Sequence, residues 1–285
     1  MRTVLHAITS ELQRLKASGV KTVNVPAESV AILRQALVGR QSRTRLPPGE
    51  MEKIPESPVA KLPVIVPPVV TLPSGDKTAR WHALLAMLQD DPVCRSHLRP
   101  GKKLVLGVGN LDAKIMFVGE APGAEEEIQG EPFVGPAGQL LTKMIQGMGL
   151  KRGDVYIGNI MNWRPELPSG TGGEQYGNRP PSEEEMRYCL PYLRAQIEVV
   201  APDLLVALGK TAVEGLLGFG KFKTLGEARG QWHEFAGKPL MVTYHPSYIL
   251  REPTNRKKRM IWDDLLLVMK RSGMPISDRQ QAFFL

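Results

Sequence analysis

The stretch from Gly119 to Gly138 brings together groups that can do chemistry: Glu120, Glu125, Glu126 and Glu127, then Phe133 set between Pro132 and Gly135. Carboxylates can move protons or steady a developing cation. The glycines allow close backbone approach and positive φ, and an aromatic ring offers a flat apolar face. Asn159, in Gly158-Asn-Ile160, adds a carboxamide that donates and accepts at once, and Asn178, before Arg179, adds a second. His245 supplies an imidazole within Thr243-Tyr-His-Pro-Ser-Tyr-Ile-Leu-Arg251. Taken singly, each has an ordinary structural use: an acidic surface loop, a turn-forming Asn, a His packed before Pro. Their chemistry depends on being brought together.

The elements around them do this. Lys114-Ile-Met-Phe-Val118 is an apolar run that reads as a buried strand. The helical spacing of Leu140, Leu141, Met144, Ile145 and Met148 predicts a helix over 136–148. Further on, strand 155–158, helix 182–199, strand 204–207, helix 210–217, strand 240–244 and a helix near 256–270 alternate. Such alternation predicts an α/β fold with a mainly parallel sheet covered by helices on both faces. On that sheet the loops after strands 114–118, 155–158 and 240–244 open on one edge, where ligands of such sheets bind.

The 285 residues suffice for one sizeable domain and an appendage. Residues 1–43 carry two helical patterns (Val4, Leu5, Ile8, Leu12 and Leu15, then Val30, Leu33 and Leu37), a module suited to docking a protein partner or packing as an extension. Residues 44–75 hold eight prolines, which exclude helix and sheet interiors and predict a linker or a strap, the apolar 64–70 favouring the strap. A globular domain is expected over 76–273, with a helix at 78–89 and a short frayed tail at 274–285. The two cysteines, Cys94 and Cys189, exclude a disulfide framework and suit a reducing cytoplasm. No apolar run of membrane-spanning length occurs, so no membrane association is expected. The net charge of +8 favours a polyanionic partner such as nucleic acid.

Together these motifs resemble the uracil-DNA glycosylase superfamily, most closely its bacterial and archaeal family 4. The resemblance rests on Gly119-Glu-Ala-Pro-Gly123, Gly130-Glu-Pro-Phe-Val-Gly-Pro-Ala-Gly138, Gly158-Asn-Ile160, Asn178-Arg179 and His245-Pro-Ser-Tyr-Ile-Leu-Arg251, and covers about 110–273. It implies excision of uracil from DNA by N-glycosidic hydrolysis, acting as a monomer on uracil-containing DNA and needing no metal for the chemistry. A flipped uracil would stack on Phe133, lie beside Ala121 and Asn178, and be read by Asn159. His245 would donate to the departing base, while Glu120 and Glu126 would orient water or steady the sugar cation. Ser247, Tyr248 and Arg251, with Arg256, Lys257, Lys258 and Arg259, would form the DNA-facing loop and its phosphate contacts.

One departure stands out. Family 4 enzymes usually carry an iron–sulfur cluster on four cysteines. Here Cys189 matches the last ligand, Trp163 stands in place of another, and His97 lies near the place of a second. Two thiolates do not hold such a cluster, so none is expected, and no cofactor. The stretch 166–177 is longer than the family loop. Gly209-Lys-Thr211 fails as a phosphate loop because its upstream glycine position is Leu204. Two alternatives remain: an inactive DNA-binding member serving as a repair-complex subunit, or a glycosylase of altered base choice such as hypoxanthine or xanthine.

Overall fold

The computed structural model describes residues 66–167, 175 and 177–285. The helical patterns expected over 1–43, and the proline-rich stretch as far as residue 65, lie outside the described residues. Among the described residues two helices come first, α1 (Lys77–Asp90) and α2 (Pro92–Ser96). Then follow β1 (Val108–Gly109), β2 (Ile115–Gly119), α3 (Ala124–Gln129), α4 (Pro136–Gly147), a short 3-10 turn (Arg152–Asp154) and β3 (Tyr156–Asn159). The second half runs α5 (Glu183–Val200), β4 (Leu204–Leu208), α6 (Lys210–Leu217), α7 (Leu225–Ala228), β5 (Trp232–Phe235), β6 (Lys238–Thr243), α8 (Ser247–Arg251), α9 (Asn255–Arg271) and α10 (Asp278–Gln281).

The strands form one six-stranded sheet in the order β1-β3-β2-β4-β6-β5. Its four central strands are parallel, and only the edge strands β1 and β5 run antiparallel. The apolar runs of β2 and β4 are buried along their whole length, as strands covered on both faces must be. Their side chains alternate between two cores. Met116, Val118, Leu205 and Ala207 pack with Leu84 and Leu88 of α1, Leu193 of α5 and Val213 of α6. Ile115, Phe117, Val206 and Leu208 pack with Leu141 and Ile145 of α4 and with Trp262 and Leu265 of α9. The three-layer α/β class expected from the alternation is the one found.

Four differences from the sequence reading have physical causes. The Glu120–Phe133 loop contains a helix, α3, closed by Gly130 at φ 81°. The edge strands β1 and β5 escape a hydrophobic count because one is two residues long and the other, Trp-His-Glu-Phe, mixes polar and apolar side chains. Val70 and Leu72, ahead of the boundary expected at 76, lie half-buried against the first core, whereas Val66 and Val69 are exposed. The tail, expected to fray, is instead tied down. Trp262 Nε1 donates to the Gln280 carbonyl at 2.6 Å, Gln280 Nε2 to that of Gly147 at 2.9 Å, and Arg259 Nη1 to those of Gln281 and Phe283 at 2.6 and 3.0 Å.

These bonds link α4 to α9, and Phe283 packs at 5.1 Å from the Trp262 ring. Removing residues 274–285 should therefore cost about 2 kcal/mol, a fall in Tm of roughly 4–8 °C for a domain of this size. Thermal denaturation followed by tryptophan fluorescence checks this; an unchanged Tm would mean that the tail contributes nothing.

Candidate active site

At the carboxyl ends of β2, β3, β4 and β6 the chain leaves a cavity of about 780 Å³. Its floor is set by Gly119, which pairs in register with Asn159 on the neighbouring strand. A Cβ on Gly119 would fall 2.5 Å from Phe133 Cζ and 2.4 Å from Asn159 Oδ1. Only a residue without a side chain lets these two groups converge. Gly138 does the same for the backbone: a Cβ there would lie 1.8 Å from the Phe133 carbonyl oxygen. Phe133 itself takes a left-handed φ of 55°, a conformation uncommon for a bulky residue that marks a held position. Arg152 helps to hold it, donating to the Pro132 carbonyl at 2.6 Å.

Glu126 completes that loop. Its Oε2 accepts from the Gly123 N–H at 3.1 Å, and its Oε1 from the N–H groups of Val134 and Gly135, both at 3.0 Å. The carboxylate expected to act on water is thus engaged by three backbone donors, and it ties the first motif to the second. Glu127, one residue on, faces away from the cavity and is buried against Arg99 and Arg164, while Glu125 is exposed. The four carboxylates therefore do not gather at one place. Glu120, also in the cavity wall, meets neither a backbone donor nor a cation among the described residues and lies beside the Thr211 hydroxyl. Burial pushes its carboxyl above the usual range, the Thr211 hydroxyl beside it works the other way, and Glu214 adds to the upward shift.

Asn159 is buried, and its Oδ1 has no hydrogen-bond partner among the described residues. A buried acceptor without a partner is costly, and the residue that carries it lines the cavity. His245 stands opposite, its ring 5.6 Å from Phe133 at an interplanar angle of 30°. The Ser247 backbone N–H donates to His245 Nδ1 at 3.2 Å, and the Ser247 hydroxyl lies 2.9 Å from the same nitrogen. That arrangement leaves the ring proton on Nε2. Burial, reinforced by Arg251 and opposed by Glu126, lowers the imidazole pKa to about 4, so the ring is neutral at physiological pH.

Ala121, Asn178, Ser247 and Arg251 also line the cavity. The cationic run beyond does not form one DNA-facing stripe, because α9 turns its members in different directions. Arg259 is taken up by Asp263 and the tail carbonyls, Lys258 lies over Phe284, and Lys257 pairs with Glu252 and sits 4.5 Å above the Tyr248 ring. Tyr248 in turn stacks on Tyr244 at 4.3 Å. Arg256 remains exposed. Sequence reasoning passed over Lys210 and Thr211, which the structure sets in the cavity wall after β4. The available signal was topological: β4 is a central parallel strand, so the loop after it opens on the same edge.

A family model for the uracil DNA glycosylase superfamily matches residues 106–266, taking in every strand end described above. The chain belongs to this superfamily. Over 173 residues it is 42% identical to a type-4 uracil-DNA glycosylase of Thermotoga maritima, covering 60% of this chain and 84% of the relative. Over 160 residues it is 41% identical to the type-4 enzyme of Archaeoglobus fulgidus, covering 54% and 75%. A type-5 uracil-DNA glycosylase of Pyrobaculum aerophilum is 32% identical over 154 residues, covering 49% of this chain and 63% of the relative.

The four-thiolate cluster that the resemblance implies does not fit the residues present. Cys94 and Cys189 are fully buried, and burial pushes both thiols far from the thiolate form. Trp163 stacks on His97 with centroids 4.5 Å apart and planes 5° apart, and Tyr188 packs beside it. Asp91 accepts from the hydroxyls of Tyr188 and Tyr192 and from the Cys94 N–H. Among the described residues no group of three or more His, Cys, Asp or Glu side chains is placed to hold a metal ion.

The tautomer and charge of His245 make a direct prediction. Its folded pKa lies below the ordinary value, so the ring should stay neutral with the proton on Nε2 from pH 8 down to about 5, and titrate near 4. Long-range ¹H–¹⁵N correlation spectra of the imidazole check this. A midpoint near 6.5 would contradict the buried, Ser247-fixed ring.

Proposed function

We propose that the protein hydrolyses the N-glycosidic bond of deoxyuridine in DNA, releasing uracil and leaving an abasic site. The observation that carries this reading is Asn159, buried beside Phe133 with no partner for its Oδ1 among the described residues, in the lining of a cavity shared with a neutral His245. A base turned out of the helix would stack on Phe133. Asn159 would accept from the uracil N3–H and donate to O4. Cytosine offers the reverse pattern at that edge, leaving buried groups unpaired at a cost of about 1–3 kcal/mol each.

As the bond breaks, negative charge grows on the base and positive charge on the sugar. The Nε2–H of His245 donates to O2 where that negative charge develops; being neutral, it stabilises the anion without first having to lose or gain a proton. Glu120 is left to position the attacking water and to steady the sugar cation, whose charge favours the ionised carboxylate against its desolvation. Glu126 acts earlier, holding the two motifs in register. Leu250, nearly half exposed at the rim of the cavity, is placed to wedge into the base step that the uracil leaves. Arg251 and Arg256 supply charge for the phosphates beside it.

Each step falls to a side chain, and the reaction runs without a metal. In this reading the iron–sulfur cluster is absent and the stacked Trp163 and His97 fill its place. The protein works as a cytoplasmic monomer on DNA, with residues 1–43 as a partner-docking element.

The test is single-turnover excision on labelled oligonucleotides carrying uracil, hypoxanthine, xanthine or cytosine, read as strand cleavage after alkali. Uracil should be excised by protein that is free of iron and colourless. In His245→Ala the rate should fall roughly 10²–10³-fold, the range for losing one oxyanion donor, with DNA affinity little changed. In Phe133→Ala affinity for the uracil strand should fall as well, since stacking already acts in the bound state. No excision of uracil by the wild-type protein would sink the proposal; a His245→Ala protein that loses affinity but keeps its rate would remove the imidazole from the chemical step.

A further inference from the structure

Arg164 lies directly behind the cavity wall and is itself buried, with 5% of its surface exposed. Its side chain reaches four acceptors. Nη1 donates to Glu127 Oε1 at 2.9 Å, Nη2 to the carbonyls of Gly177 at 2.7 Å and Gln175 at 3.3 Å, and Nε to Asn178 Oδ1 at 2.8 Å. Glu127 is equally buried and is also gripped by Arg99, whose Nη2 lies 2.5 and 2.7 Å from its two oxygens. The guanidinium is therefore fixed from behind by α3 and the residues after α2. On the chain side, the neighbouring Trp163 is clamped by its stack on His97. A planar fork held this firmly has little freedom to adapt to what it meets.

What it meets in front is a carboxamide. A guanidinium has donors only, so Asn178 must turn Oδ1 towards Arg164, and the amide cannot flip without setting N–H against N–H. The Nδ2 group is thereby left on the other side. It lies 3.8 Å from the position of a Cβ on Gly123, and Gly123 and Asn178 both line the cavity.

We infer that Arg164 is a positioning residue of the pocket: it fixes the Asn178 amide with its N–H donors towards the cavity, so that Asn178 addresses an acceptor oxygen of the bound strand. The contact deepens the proposed uracil excision and rests on it. Arg164 never touches the substrate. It sets which end of Asn178 the substrate meets.

The test uses the full chain and a uracil oligonucleotide, with Tm, DNA affinity and single-turnover rate measured separately. Asn178→Ala should excise about three- to tenfold more slowly, the value of one hydrogen bond. Asn178→Asp keeps an acceptor for Arg164 and should keep the wild-type Tm, yet it should excise no faster than Asn178→Ala because acceptor then faces acceptor. Arg164→Gln should slow excision by the same factor as Asn178→Ala. The double variant should be no slower than Asn178→Ala alone, while the Tm loss from Arg164→Gln persists in both backgrounds. Asn178→Asp excising like wild type, or penalties of Arg164→Gln and Asn178→Ala that multiply, would overturn the inference. The Asn178→Asp comparison stands even if Arg164→Gln does not fold. Substrates with single methylphosphonates beside the uracil identify the oxygen. An Asn178→Ala penalty that vanishes on one of them assigns a phosphate, and one that survives on all assigns a sugar or base oxygen; both are consistent with the donor role. A wild-type protein inactive on uracil would instead refute the underlying reading of the site, which separates the two failures.

Discussion

The pocket depends on a steric constraint at the end of the central strand. Gly119 has no side chain, and into the space where one would be come the Phe133 ring from one loop and the Asn159 amide from the next strand. A flat face and a hydrogen-bonding edge are thereby held side by side. The rest of the loop serves this approach: Gly138 admits the Phe133 carbonyl, Glu126 binds three amides across the two motifs, and Arg152 ties down Pro132. Groups held this way lose little entropy when a substrate arrives.

The same economy governs charge. His245 is kept neutral by burial, and Ser247 decides which nitrogen carries its proton. Behind the wall the logic reverses, and Glu127 stays buried because Arg99 and Arg164 surround it. A lone buried carboxylate there would be expelled or protonated. Where the resemblance implies a metal cluster, the chain has aromatic stacking, two protonated thiols and an aspartate shared by two tyrosines. These tie α2 and the residues after β3 to α5 by packing and by hydrogen bonds to the ionised Asp91.

Much of this was legible beforehand, for definite reasons. Short apolar runs such as 115–118 and 204–207 read as strands buried on both faces because they are only four residues long and alternate with helical patterns, and that alternation points to the class of fold. Phe133, Asn159 and His245 were legible because they end such strands or sit in motifs of set spacing. What the sequence hid was direction. Glu125, Glu126 and Glu127 are consecutive on a helix, so they point about 100° apart: one to solvent, one to the loop amides, one to the buried arginines. The same rotation dispersed Arg256 to Arg259, of which Arg259 donates to the tail carbonyls. Lys210 and Thr211 were hidden for another reason: their own sequence carries no site motif, and only the place of β4 in the sheet brings them to the cavity.

Gly119→Ala tests the central claim most directly, because it adds one methyl group where Phe133 and Asn159 converge. Single-turnover excision of uracil from a labelled strand should fall at least roughly 100-fold, as expected when reacting groups are displaced by about 1 Å, while the affinity for undamaged DNA stays unchanged. A Gly119→Ala protein that excises uracil at the wild-type rate would show that the close approach of Phe133 and Asn159 is not what makes the pocket.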